Sequence, residues 1–234
     1  MNTSIVVDDK CSFDIGCRVV LWDEPKGLNF IPHGRFSKKG KCQQFTTHWS
    51  VTYRAKHMCD GLVARGLSVN FMIDDDCDKD GYSTVYQCLP LKYFGWSQGK
   101  QFNTLGHGVE VSYMPQCWST PGLYSEYNRK RYNVPLHKTT TAPIHGTKLK
   151  VFLPTKAQMN SLIALTWGYT ELYPHVPAKF PKKNGEYITT VLPKPETYEG
   201  LVNHYHLKRG KVDTAGLDMK KVEDTVAQMQ EWGY

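Results

Sequence analysis

Several large classes are excluded by what this sequence lacks. It has no CxxC pair: Cys11, Cys17, Cys42, Cys59, Cys77, Cys88 and Cys117 are scattered and odd in number. That pattern argues against a zinc ribbon or a thioredoxin-type motif. The opening stretch MNTSIVVDDKCSFD has neither a charged leader nor an apolar core of signal-peptide length. The expectation is a chain made in a cytoplasm that does not export itself by that route. Its cysteines are then mostly reduced and structural, although Cys11 and Cys17 could pair in an oxidising compartment. No stretch approaches the roughly 18 apolar residues of a membrane span. A Gly-rich phosphate loop, HExxH, GxSxG, internal repeats and low-complexity segments are all missing.

What is present fits a globular protein. The chain has 234 residues, 40% of them hydrophobic and 12% aromatic, enough for one sizeable core. The formal net charge is +7, with a pI of about 8.9, which favours an anionic partner such as nucleic acid, cell-wall polymer or a membrane surface. Nucleic acid is disfavoured, because basic helical stripes and the aromatic patterns of RNA-binding modules are missing. The acidic run Asp74–Asp80 invites a calcium reading. An EF-hand loop needs Gly at its sixth position and Glu at its twelfth. Those fall on Lys79 and Val85 counting from Asp74, and on Gly81 and Gln87 counting from Asp76. Neither register fits, and a solvated hairpin turn is the better reading.

Along the chain, Ser4–Val7 and Arg18–Leu21 read as short strands, and residues 30–41 as a loop. Phe45-Thr46-Thr47-His48-Trp49-Ser50 is a β-branched and aromatic run, hence a strand with His48 near its end. Ala55, Met58, Cys59, Leu62 and Val63 recur at helical spacing within residues 51–65, and Gly66 ends that helix. Ser68–Asp74 and Val85–Leu89 read as a hairpin, and Leu105–Tyr113 as a further strand. Its alternation puts Val109 and Val111 on one face and Gly108 and Glu110 on the other. Residues 115–150 lack a helical period and read as a structureless, substrate-facing insertion with a basic patch at Arg129, Lys130 and Arg131. Thr155 and Gln158 form a capping box for a helix to Leu172, with Met159, Leu162, Ile163, Thr166 and Trp167 as its apolar stripe. Residues 174–195 read as a loop, and Asp218–Trp232 as a final helix with Val222, Val226, Met229 and Trp232 inward.

The chemistry concentrates in Asn203-His204-Tyr205-His206-Leu207-Lys208-Arg209-Gly210-Lys211-Val212-Asp213. Two His and one carboxylate on a loop suit a metal, but a catalytic zinc takes three protein ligands and keeps one position open. His48 is the candidate from afar. With His204 and Asp213 it would form a hydrolytic zinc shell, with Glu110 to take a water proton and Lys211 to stabilise an oxyanion. His206 stays open as an alternative ligand, although an extended backbone would point it to the opposite side from His204.

The same residues carry a resemblance. Phe45–Ser50 resembles the strand that ends in the first His ligand of the type-2 N-acetylmuramoyl-L-alanine amidases, zinc enzymes that include phage endolysins and are related to peptidoglycan recognition proteins. Leu67–Asp74 followed by Gly81–Leu89 resembles that family's hairpin, and Asn103–Ser112 its "N-x-x-s-i-G-[iv]-E" strand. Asn203-His204 through Lys211-Val212-Asp213 resembles its "G-H…K-x-D-P-G" segment. These segments occur in the family's order. Asn70 and Ser97 stand where the family often has His, and Thr214-Ala215-Gly216 replaces Pro-Gly after the Asp.

The resemblance implies an α/β fold of amidase and peptidoglycan-recognition type, with a central mixed β-sheet flanked by about three helices. Residues 44–234 would form the catalytic domain, with residues 1–43 as an extension packed on it. It further implies Zn2+ on His48, His204 and Asp213, catalysis by Glu110 and Lys211, and substrate contacts from Asn70, Trp96, Asn103 and His107. His107 is there expected as a wall residue, and the remaining histidines as surface residues. The expected partner is peptidoglycan or muramyl peptide, bound by a monomer that waits in the host cytoplasm until released to the wall. A cytoplasmic recycling amidase and a non-catalytic peptidoglycan-binding module are the alternatives.

Overall fold

A computed structural model describes residues 2–233. Its centre is a six-stranded sheet: β1 (Val19–Leu21), β2 (Gln44–Trp49), β3 (Phe71–Ile73), β4 (Val85–Gln87), β5 (Gly106–Val111) and β6 (Gly200–Asn203). The strand order is β6-β2-β5-β3-β4-β1. The run β6-β2-β5-β3 is parallel, β4 returns antiparallel to β3, and β1 lies parallel to β4. The sheet is therefore mixed, as expected. Parallel neighbours need crossovers, and α1 (Ala55–Ala64), α2 (Glu126–Tyr132) and α3 (Lys156–Leu172) lie within them, while α4 (His204–Leu207) and α5 (Met219–Trp232) follow the last strand. Among the described residues no helix is long and apolar enough to cross a membrane.

Strand alternation sorts the layers. Met72 joins Met58, Cys59 and Leu62 of α1 in one apolar cluster. Phe71 and Ile73 join Phe45, Val109, Val111 and the α3 residues Leu162 and Leu165 in the larger one. All six positions of β2 and of β5 are buried, as strands covered on both faces require. The N-terminal hairpin (Ser4–Asp8 with Cys11–Asp14) covers the outer side of α3. A Cβ on Gly168 would lie 2.3 Å from Ile15 Cγ2, so glycine is required at that crossing. This is why α3 is buried around most of its circumference and not only along the expected stripe. Its capping box is formed as expected, with Thr155 Oγ1 accepting from the Gln158 amide at 3.2 Å.

The structure departs from the sequence reading in several places. Residues 115–150 are ordered into α2 and a hairpin of Thr139–Ile144 with Thr147–Phe152. None of them lines the central cavity described below. Helix α2 buries no residue, so it has no apolar period to detect. Its signals are its caps, Ser125 at the start and left-handed Asn133 at the end. Asp74 and Asp75 are not part of a solvated turn: Asp74 binds Arg54, with Oδ2 at 2.7 Å from Nη2. Asp75 pairs with His137 at 2.9 Å, both side chains fully buried, so His137 is not a surface residue either. Trp232 is 66% exposed and does not pack inward. All seven cysteines are free.

Candidate metal and catalytic site

The carboxyl ends of the parallel strands meet at one sheet edge, which is where open α/β sheets place their sites. His48 on β2 is register-paired with Glu110 on β5, and Glu110 with Met72 on β3. All three therefore lie on the α1 face. Next to β2, strand β6 ends at Asn203, paired with Thr47, and the chain turns directly into α4. This single turn decides between the two histidines. His204 projects to His48, whereas His206 folds back, accepting from the Asn203 amide at 3.0 Å and reaching the Ile188 carbonyl at 2.7 Å. His204 is thus the residue brought to His48, through helical rather than extended geometry. Asp213 is drawn in by its own carbonyl, which accepts from the Tyr205 amide at 3.0 Å. Thr214 Oγ1 donating to Asn203 Oδ1 at 2.6 Å secures the next residue.

The result is a buried triangle. His48 Nδ1 lies 3.0 Å from His204 Nδ1 and 3.3 Å from Asp213 Oδ2, and His204 Nδ1 lies 2.8 Å from that oxygen. Each imidazole nitrogen carries at most one proton, so three such edges cannot all be good hydrogen bonds. His48 Nε2 is also buried without a partner. A cation at the centre would resolve the conflict, because each of the three atoms could give it one lone pair. Zinc bonds of 2.0–2.1 Å give tetrahedral edges of about 3.3 Å, close to those observed, so these donors fit zinc.

Electrostatics support the same reading. Burial lowers His48 to about 4, and the neighbouring His204 adds to this, so the imidazole is neutral and able to ligate. Burial alone would raise Asp213, but hydrogen bonds from His204 and His48 outweigh it and hold the carboxyl well below its usual range. Glu110 behaves oppositely. Burial pushes it well above the ordinary carboxyl value, Asp213 pushes the same way, and Lys211 and Arg65 pull it back. Its Oε2 is buried without a hydrogen-bond partner. A cavity of about 400 Å³ joins His48, Glu110, His204, Lys211 and Asp213. The five residues expected to hold the metal and perform the chemistry therefore meet in one space.

The expected substrate residues divide. Trp96 and Asn103 line a second groove that shares His204 and Lys211 with the cavity. Asn70 does not: it is fully buried, donating to the Tyr93 carbonyl at 2.7 Å and accepting from the Gly95 amide at 3.2 Å. His107 is corrected too. It pairs with Phe45 on the α3 face, bonds Tyr169 Oη at 2.9 Å and the Leu91 carbonyl at 2.8 Å, and stacks on Phe94. Both side chains hold the scaffold. Sequence reasoning missed Arg65 and His57 on the cavity wall. Arg65 was within reach of it, because Met58, Leu62 and Arg65 share one helical face. His145 was also missed. At the tip of the Thr139–Phe152 hairpin, its Nε2 lies 2.9 Å from the Lys211 carbonyl, bracing the loop between the ligands.

Fold and site together define an α/β protein with a candidate metal centre at the carboxyl edge of a mixed sheet. No protein-family model matches the sequence, and no curated protein does. Solved structures do match. The N-acetylmuramoyl-L-alanine amidase LysC from Clostridium intestinale URNW aligns with 90% of this chain and 98% of its own, with a TM-score of 0.50 and 13% identity. The endolysin N-acetylmuramoyl-L-alanine amidase LysCS from the same organism aligns with 90% and 95%, with a TM-score of 0.50 and 14% identity. The chain has the fold of these N-acetylmuramoyl-L-alanine amidases.

Proposed function

We propose that this protein is a zinc-dependent N-acetylmuramoyl-L-alanine amidase that cleaves the bond between the lactyl-sugar and the stem peptide of peptidoglycan, in an endolysin role. The carrying observation is the convergence of His48, His204 and Asp213 with an unpartnered Glu110 in one cavity. His48, His204 and Asp213 would hold the zinc, which supplies Lewis-acid polarisation when bound. Glu110, with its raised proton affinity, takes the proton of the attacking water and returns it to the leaving amide nitrogen. Lys211 at the cavity mouth presents its cation to the oxygen that gains negative charge. The buried scaffold around the triangle keeps these groups from reorganising during reaction.

Turnover of a muramyl peptide by wild type, Glu110→Gln and Lys211→Ala tests the roles. Glu110→Gln should cut kcat about 100- to 10,000-fold and Lys211→Ala about 100- to 1,000-fold, with metal content unchanged in both. A wild-type protein that binds muramyl peptide without cleaving it would leave only the binding-module reading.

A further inference from the structure

The geometry points to Ser97 as a positioning residue for the metal: its hydroxyl accepts the Nε2 proton of His48 and so fixes that imidazole as an Nδ1 ligand. The inference rests on the metal reading of the His48–His204–Asp213 triangle and adds a residue from outside it. His48 turns Nδ1 toward His204 Nδ1 and Asp213 Oδ2. A ligating nitrogen gives its lone pair to the cation, so the one proton of the neutral ring sits on Nε2. In His48 that atom is buried without a hydrogen-bond partner, a condition that the second ring nitrogen of His204 does not share. A buried N–H without an acceptor costs free energy. The hydrogen bond made by the second nitrogen is also what sets the tautomer and orientation of a ligand histidine.

Ser97 meets this need. It follows the two-residue strand Phe94–Gly95 and lines both the cavity and the adjoining groove. Its Oγ is also buried and unpartnered. The two atoms flank one small gap beside Gly108, which pairs with Thr46 two positions before the His48–Glu110 pair. A Cβ on Gly108 would lie 3.2 Å from Ser97 Oγ and 3.5 Å from His48 Nε2. Glycine leaves this gap open, and the hydroxyl bridges it by turning about its Cα–Cβ bond or across one water. Two other buried, unpartnered oxygens belong to the same sheet face, Thr46 Oγ1 and Glu110 Oε2. Both lie farther from the gap than Ser97 Oγ does, and Glu110 is assigned to the attacking water.

The test is the zinc affinity of the full chain, measured by competition with a chromophoric chelator. Ser97→Ala should weaken zinc binding about 10- to 100-fold. Ser97→Thr, which keeps a hydroxyl, should stay near wild type, and Thr46→Val should leave the affinity unchanged. Metal-free Ser97→Ala should unfold at the same urea concentration as metal-free wild type or at a higher one, because the deleted hydroxyl makes no bond there. A serine that only held the fold together would lower it. In zinc-loaded protein carrying isotope-labelled histidine, nuclear magnetic resonance should find the His48 proton on Nε2, and its exchange with water should be faster in Ser97→Ala than in wild type. Zinc affinity unchanged in Ser97→Ala, a loss that follows Thr46→Val instead, or a His48 proton on Nδ1 overturns the proposal and leaves the metal reading standing. A wild type that takes up no zinc overturns both.

Discussion

Lowering the pH from 7 to 5 should destabilise this protein through histidines that lie outside its site. His107 is the clearest case. Its neutral form is fully satisfied, with one ring nitrogen at Tyr169 Oη and the other at the Leu91 carbonyl. Burial lowers its pKa from 6.5 to about 3, opposed only by the Leu91 hydrogen bond. The folded state therefore binds this proton less readily than the unfolded chain. The stabilising contribution is fully present above about pH 6.5 and is lost progressively as the pH falls toward 3. At pH 5 an unfolded histidine is almost fully protonated while folded His107 remains neutral. Integrating that difference from pH 7 gives about 2 kcal/mol. His206, lowered to about 4 mainly by burial, adds about 2 kcal/mol more over the same interval. Urea unfolding at pH 7 and pH 5 measures the total, to which the buried site groups His48 and Glu110 also contribute, and His107→Gln isolates the first part. The variant should be less stable at pH 7, by about 1–3 kcal/mol, yet lose about 2 kcal/mol less than wild type on going to pH 5. An unchanged pH dependence in that variant would refute the reasoning.

The remaining predictions separate ligands from scaffold. His204→Ala should abolish metal retention measured by elemental analysis, whereas His206→Ala should keep the metal and cost about 1–3 kcal/mol from unsatisfied buried partners. Asn70→Ala should lower the unfolding midpoint by a similar energy and leave the KM for muramyl peptide unchanged. His145→Ala should reduce kcat more than it raises KM, because it loosens the Lys211 loop while leaving the substrate groove in place.

The legible parts of this chain are those in which local pattern and tertiary role coincide. Strand β2, helix α1, the capped start of α3 and the Glu110 strand all follow from β-branched runs, helical spacing or a capping box. The joining of His48, Glu110, His204, Lys211 and Asp213 was legible too, through the order of the motifs that carry them. Alternation along β5 was stronger than the use made of it. The rule that puts Glu110 on one face also puts His107 with Val109 on the other, so His107 could have been assigned to the core. Asn70 misled because a buried Asn whose work is done on backbone groups looks the same in sequence as one that meets a ligand. Helix α2 was invisible because it buries no residue fully and packs on the core only through Tyr132, and the burial of Asp75 with His137 because its partner lies far away in the chain. Ser97 Oγ and His48 Nε2 come from separate segments, and only the fold sets them at one gap beside Gly108.

The central claim is that a metal held by His48, His204 and Asp213 lets this protein cut the muramoyl-alanine amide. Mass spectrometry of the fragments released from purified peptidoglycan, with and without a chelator and after zinc is restored, tests it most directly. The account predicts stem peptides with a new alanine amino terminus, paired with glycan chains carrying free lactyl carboxyls. Their release should stop with chelator and return with zinc. Fragments cut at any other bond, or release that continues in metal-free protein, would contradict it.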